Sequence, residues 1–163
     1  MSELFQRCPV QCPYIRAKDY LDKALSTVAQ SREPQTLTLR VPLAGAHGHG
    51  LQKAVTVTYG IGSDPMHFDQ IWQVHWAPCD GGPYPEFDGT LAVRADDTYE
   101  HSFLELRGAY RPPLGVPGAA FDAVLGSRIA SLTARQLLGQ LGRDMEARYV
   151  AEERAKHAGN LRR

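Results

Sequence analysis

The chain has 163 residues, enough for one ordinary domain and too few for two comfortable ones. Its 43% hydrophobic and 22% charged residues exclude disorder over most of the length. Eighteen Lys and Arg balance eighteen Asp and Glu, and the missing basic excess argues against a nucleic-acid partner.

Residues 4–10 read as a first strand, with Pro9 confining its end to an edge or a turn. Cys12-Pro13 then opens a helix, proline being suited to the first helical position. Leu21, Ala24, Leu25 and Val28 recur at i, i+3, i+4 and i+7, so this helix is amphipathic. A polar run ending in Pro34 closes it.

The period then changes to two. Leu37, Leu39, Val41 and Leu43 alternate with polar residues, and so do Val55, Val57 and Tyr59. Trp72, Val74 and Trp76 follow, then Phe87, Gly89, Leu91 and Val93, and last Leu104, Leu106, Gly108 and Tyr110. Turn-rich stretches are expected at 45–50, 60–65, 78–85 and 96–97. Links this short imply antiparallel pairing, because parallel strands need long crossovers.

After Pro112-Pro113, apolar residues from Phe121 to Met145 return to helical spacing, and one long helix is expected over 121–157. Gly126, Gly139 and Gly142 are poor helix formers there and imply close packing on the sheet, a kink, or a break. A helix of that length would measure about 55 Å, longer than the body it packs on. Residues 152–163 are therefore expected to project or lose order.

A single sheet has one apolar face that must be covered, and only the last helix carries enough apolar surface to cover it. The expected architecture is one α+β domain over residues 1–163. A curved antiparallel sheet of about six or seven strands wraps the long carboxy-terminal helix. Cys8, Cys12 and Cys79 are odd in number with no Cys-x-x-Cys, which favours reduced thiols. The first residues lack a basic start followed by an apolar stretch, and no apolar run reaches the ~18 residues of a membrane span. A cytoplasmic location is expected.

The second half carries a recognisable pattern. It runs Phe87-x-Gly89-x-Leu91, then Leu104-x-Leu106-x-Gly108-x-Tyr110-x-Pro112-Pro113-Leu114-Gly115-x-x-Gly118, then Asp122 and Gly126-x-Arg128-Ile129-Ala130. This resembles uncharacterised members of the SRPBCC superfamily, the START-like, helix-grip group that includes polyketide cyclases and lipid-transfer domains. The match covers residues 87–149; the first half agrees in element order. The resemblance implies a helix-grip fold and a hydrophobic small molecule held between sheet and final helix. It ties no catalytic residue to the matched motifs.

Other constellations have plainer readings. His47 and His49 could share a metal, yet a structural zinc site wants four ligands, and a flexible Gly/His turn is the simpler account. If Trp72 and Trp76 face inward, His75 faces outward, away from any cavity and from service to Cys79. Glu86 and Asp88 flank inward Phe87 and belong to the outer face, within reach of Arg94, Glu105 and Arg107. No glycine stretch has the form of a phosphate loop, and no Gly-x-Ser-x-Gly elbow exists.

The inward aromatics serve either as core or as pocket lining. Arg128 and Arg135 share a helix side and could cap a pocket mouth, or simply lie on the surface over aliphatic stems. The expected pocket residues are Tyr59, Trp72, Trp76, Leu104, Leu106, Tyr110, Arg128 and Leu132, with no catalytic or metal residue and no cofactor. The expected function is binding of a lipid, quinone or polyketide-like molecule. A cyclase, aromatase or hydrolase in the same cavity is the alternative, and a ligand-free interaction module the third reading. A homodimer is compatible with all three.

Overall fold

The computed structural model describes residues 2–31, 35–41, 51–64, 69–80, 84–111 and 119–160. The chain begins with β1 (Ser2–Val10) and α1 (Tyr14–Ser31), and then runs through β2 (Gln35–Val41), β3 (Leu51–Asp64) and β4 (Asp69–Pro78). It ends with β5 (Glu86–Ala95), β6 (Ser102–Arg111) and α2 (Ala119–Asn160).

The six strands form one curved, unclosed antiparallel sheet in the order β1-β6-β5-β4-β3-β2. Four of its five pairings join consecutive strands, as short links require. The fifth brings β1 back beside β6, with Ser2 opposite Tyr110 and Val10 opposite Ser102. The α+β architecture with a long terminal helix is the one the alternation implied.

Alternation assigns the faces as expected. Val55, Val57, Trp72, Val74, Trp76, Phe87, Leu91, Leu104 and Leu106 are buried against the helices. The outer face holds ion pairs. Asp88 accepts from His75 Nδ1 at 2.7 Å and lies 3.5 Å from Arg111. The Glu105 carboxylate sits among Arg107 at 2.9 Å, Arg7 at 3.6 Å and Arg94 at 3.8 Å.

The expected turn at 60–65 needs correction. Residues 60–64 continue β3, with Gly60 opposite Gln73 and Gly62 opposite Ile71. The antiparallel ladder sustains a segment whose glycines are weak strand formers alone. At Gly62 a Cβ would approach Gln73 Nε2 to 2.9 Å, so the glycine makes room for the neighbouring side chain. The 45–50 turn, with His47 and His49, lies outside the described residues, as does Pro112–Gly118.

Two inner-face glycines have a stronger reason. Gly89 and Gly108 stand opposite each other on β5 and β6. A Cβ on Gly89 would come 2.3 Å from the Arg107 carbonyl and 2.4 Å from Phe87 Cζ. One on Gly108 would come 2.3 Å from the Asp88 carbonyl. The Phe87 ring therefore lies on bare backbone where any other residue would hold it off.

The long helix is continuous through Gly126, Gly139 and Gly142, with neither break nor interruption. At Gly126 a Cβ would sit 3.7 Å from the Tyr110 ring, and at Gly142 it would sit 3.5 Å from Val10. Small residues thus let α2 approach β1 and β6. Helical geometry extends to Asn160, and Glu152 pairs with Arg16 of α1. Residues 154–158 are exposed.

Two outcomes follow from this packing. Gly89→Ala should cost roughly 2–3 kcal/mol or more, as overpacking against unyielding backbone does; a denaturant midpoint within error of wild type would show that the pair can spread. Truncation after Val150 removes Glu152, which pairs with Arg16 and hydrogen-bonds the buried Tyr20 hydroxyl, and should lower stability by about 1–3 kcal/mol, the cost of leaving that hydroxyl without a partner. A larger loss in a thermal melt would mean the last turns carry packing beyond the contacts of Glu152.

Candidate functional site

The inner space is filled unevenly. Toward one end, the Trp76 and Phe87 rings stack with centroids 4.0 Å apart and planes 15° from parallel. Trp76 Nε1 donates to the Pro85 carbonyl at 3.2 Å, and Trp72 Nε1 donates to Asp22 Oδ1 of α1 at 2.9 Å. The Tyr84 hydroxyl pairs with Thr133, whose own hydroxyl donates to the Ile129 carbonyl at 2.8 Å. Burial pushes the Tyr84 phenol up to about 12, the Thr133 hydrogen bond only partly opposing it. The space beside Trp72 is about 10 Å³, room for one water at most.

Beside this cluster, α1, β2, β3 and α2 border a partly open cavity of about 320 Å³, one of whose wall residues, Val57, stands directly opposite Trp76. Its apolar wall comes from Leu25 and Val28 of α1, Val57 of β3, and Leu137 and Leu141 of α2. The amphipathic stripe of α1 explains the first pair: Leu25 turns into the core while Ala24, one position earlier, stays at the exposed rim. Gln35, Gln140 and Asp144 add polar groups to the wall. The side chains meeting here are shorter than the rings opposite, and the space stays open.

Tyr59 borders this cavity. Its side chain follows the inward alternation of β3 and the residue is only 9% exposed. The hydroxyl is buried and has no hydrogen-bond partner among the described residues. Burial alone pushes its phenol up to about 12, so the group stays protonated near neutrality and can donate.

Of the expected pocket residues, only Tyr59 lines this cavity. Trp72 and Trp76 are packed core at 1% and 0% exposure, and Leu104 and Leu106 are wholly buried beside them. Tyr110 is buried against Gly126. Leu132 packs on the edge of the core, and Arg128 is exposed on α2. Arg135 reaches Gln6 Oε1 at 3.4 Å on β1, not the cavity.

The sequence reading missed Leu137, Gln140, Leu141 and Asp144. Their i, i+3, i+4 and i+7 spacing marks one face of α2 and was the available signal. Which part of the sheet that face meets depends on the helix's tilt, which spacing does not contain.

The three cysteines are free. Burial raises the Cys12 thiol to about 11, against the opposing pull of Arg16, which leaves it a poor nucleophile. Among the described residues, no group of three or more His, Cys, Asp or Glu is placed to share a metal ion. None of the described helices is long and apolar enough to cross a membrane.

The fold defines the class: an α+β domain with a curved antiparallel sheet and a long terminal helix, consistent with the helix-grip arrangement. No family model matches the chain, and no curated protein matches it. Solved structures resemble it distantly. A Thermus thermophilus protein is 15% identical with a TM-score of 0.45, over 93% of this chain and 99% of that one. The Zhui aromatase/cyclase from a Streptomyces species is 13% identical with a TM-score of 0.39, over 96% of this chain and 95% of its own. A Nitrosospira multiformis protein is 14% identical with a TM-score of 0.34, over 82% of this chain and 95% of that one. Likeness at this level says nothing of what the chain binds.

The packing gives a direct expectation for the tryptophans. Trp76→Ala should cost ~3–5 kcal/mol, the value for deleting a large packed ring. Urea unfolding followed by circular dichroism measures it; a loss under about 1 kcal/mol would mean the ring borders open space instead.

Proposed function

We propose that this chain is a START-like, SRPBCC-type protein that binds a small hydrophobic molecule in the cavity enclosed by α1, β3 and α2. The observation carrying this reading is the cavity itself, about 320 Å³ bounded by Leu25, Val28, Val57, Leu137 and Leu141. That lies at the lower end of the size range of small-molecule sites, and the wall joins these apolar residues to Gln35, Thr36, Gln140 and Asp144, which could fix a ligand's orientation. The ligand would be of lipid, quinone or polyketide-like character and small enough for this space. Three free thiols support a reducing, cytoplasmic setting.

Binding is favoured over catalysis by the chemistry of the wall. General acid–base work needs a group that exchanges its proton near the working pH. Tyr59 holds its proton to about 12, and the other ionisable wall residue described, Asp144, is exposed at the rim.

A thermal-shift panel of short fatty acids, quinones and aromatic ketones tests the proposal. A fitting ligand at a hundredfold excess over its Kd should raise the melting temperature by about 5 °C or more. Ala24 is exposed at the rim, so Ala24→Trp should block the opening and remove the shift while leaving the unliganded melt unchanged. Flat melts for the wild type across the whole panel would sink the reading.

A further inference from the structure

The cavity is graded from floor to mouth. Leu25, Val57 and Leu137 are buried at its floor, and Val28 and Leu141 are half-buried around them. Gln35, Thr36, Gln140 and Asp144 are exposed, so the polar groups gather at the rim. The two amides and the hydroxyl can donate or accept, whereas the Asp144 carboxylate only accepts. It is also the single formal charge on the described wall. Asp144 makes no ion pair among the described residues. The described cations nearest to it in sequence or on α1 are turned elsewhere. Lys23 of α1 reaches Asp19 at 2.8 Å. Arg148, one turn beyond Asp144 on α2, lies over the Tyr20 ring at 5.6 Å. Arg143 occupies another side of α2, beside Gly139.

We propose that Asp144 is a specificity residue: its carboxylate receives a cationic head group, so the cavity selects apolar molecules ending in an amine over neutral ones and disfavours carboxylates of the same body. This rests on the binding function proposed above and adds the chemistry of the ligand's head. An apolar body of such a ligand covers the aliphatic floor while its head stays at the exposed rim. An ammonium held there keeps part of its hydration and escapes the desolvation cost that a deep site would impose. Its three N–H donors suit a rim of side-chain oxygens. A carboxylate in the same place meets a like charge, and the described wall holds no Arg or Lys to offset it.

The test uses three probes with one phenylbutyl body: 4-phenylbutylamine, 4-phenyl-1-butanol and 5-phenylvalerate. Calorimetric titration of the full chain at neutral pH and low salt gives their affinities. An exposed ion pair corresponds to about a two- to fivefold preference for the amine over the alcohol, with the carboxylate weakest. Raising the ionic strength should shrink that preference, because exposed charges are screened. Asp144→Asn removes the charge and keeps the shape. It should bring the ratio of amine to alcohol affinity to one and strengthen carboxylate binding. Asp144 is exposed and outside any described ion pair, so the variant should melt with the wild type and its titrations report on the head group alone.

Equal wild-type affinity for amine and alcohol, or tightest binding of the carboxylate, overturns the inference and leaves the binding function standing. An amine preference that survives Asp144→Asn, or one indifferent to salt, also overturns it. Failure of all three probes, together with flat melts across the panel, removes the binding function and the inference with it.

Discussion

The placement of the Phe87 ring on two facing glycines sets the terms for the rest of the inner space. Gly89 and Gly108 leave the backbone of β5 and β6 uncovered, and the ring lies close enough that a Cβ at either position would meet it. An aromatic laid over paired glycines covers the gap they leave, and glycines on the concave side are one way a sheet curves. Trp76 then stacks on the other side of the ring, 4.0 Å away. Three adjacent strands are thereby fixed by one column of side chains, from β4 through β5 to β6. Its components are those of the alternating sequence itself, Phe87-x-Gly89 on one strand and Gly108-x-Tyr110 on the next.

This column gathers large rings on β4, β5 and β6, and the cavity begins on the next strand, at Val57. Trp76, Phe87 and Tyr110 stand side by side on neighbouring strands, while the adjoining space beyond Val57 is bounded also by Val28 and Leu141. The α2 helix cannot descend to close the second region. Its glycines bring it close to β1 and β6 at Gly142 and to Tyr110 at Gly126, so its height is already set elsewhere. A rigid helix seated along one side of a curved sheet leaves space under its other side. The cavity is the geometrical remainder of tight packing around it.

The same reasoning explains which parts of the molecule were legible in the sequence. Period-two alternation depends only on backbone pleating, so β4, β5 and β6 and their inner faces could be read directly. Gly60 and Gly62 misled because glycine usually punctuates a chain, whereas here a partner strand supplies the ladder. The size of Trp76 and Tyr110 suggests pocket lining, and the same size packs them beside Phe87. A pocket forms where side chains fall short of filling space, and which face of α2 borders it depends on how the helix lies on the sheet, which no local pattern records. Tyr59 was legible because a tyrosine at an inward position brings a hydroxyl into an apolar region.

That hydroxyl separates the cavity from a simple packing defect. An empty apolar hole costs stability through lost contacts, and its lining has no polar requirement. A ring without the hydroxyl would have served such a hole, and phenylalanine suits strand β3 as well as tyrosine does. The other buried polar groups on the aromatic side chains nearby show that this core can supply partners when a hydroxyl or indole nitrogen is buried. Asp22 reaches in from α1, Pro85 turns its carbonyl inward, and Thr133 meets Tyr84 from α2. The Tyr59 hydroxyl is buried with no partner among the described residues, and Tyr59 borders a cavity whose wall also holds Gln35, Thr36, Gln140 and Asp144.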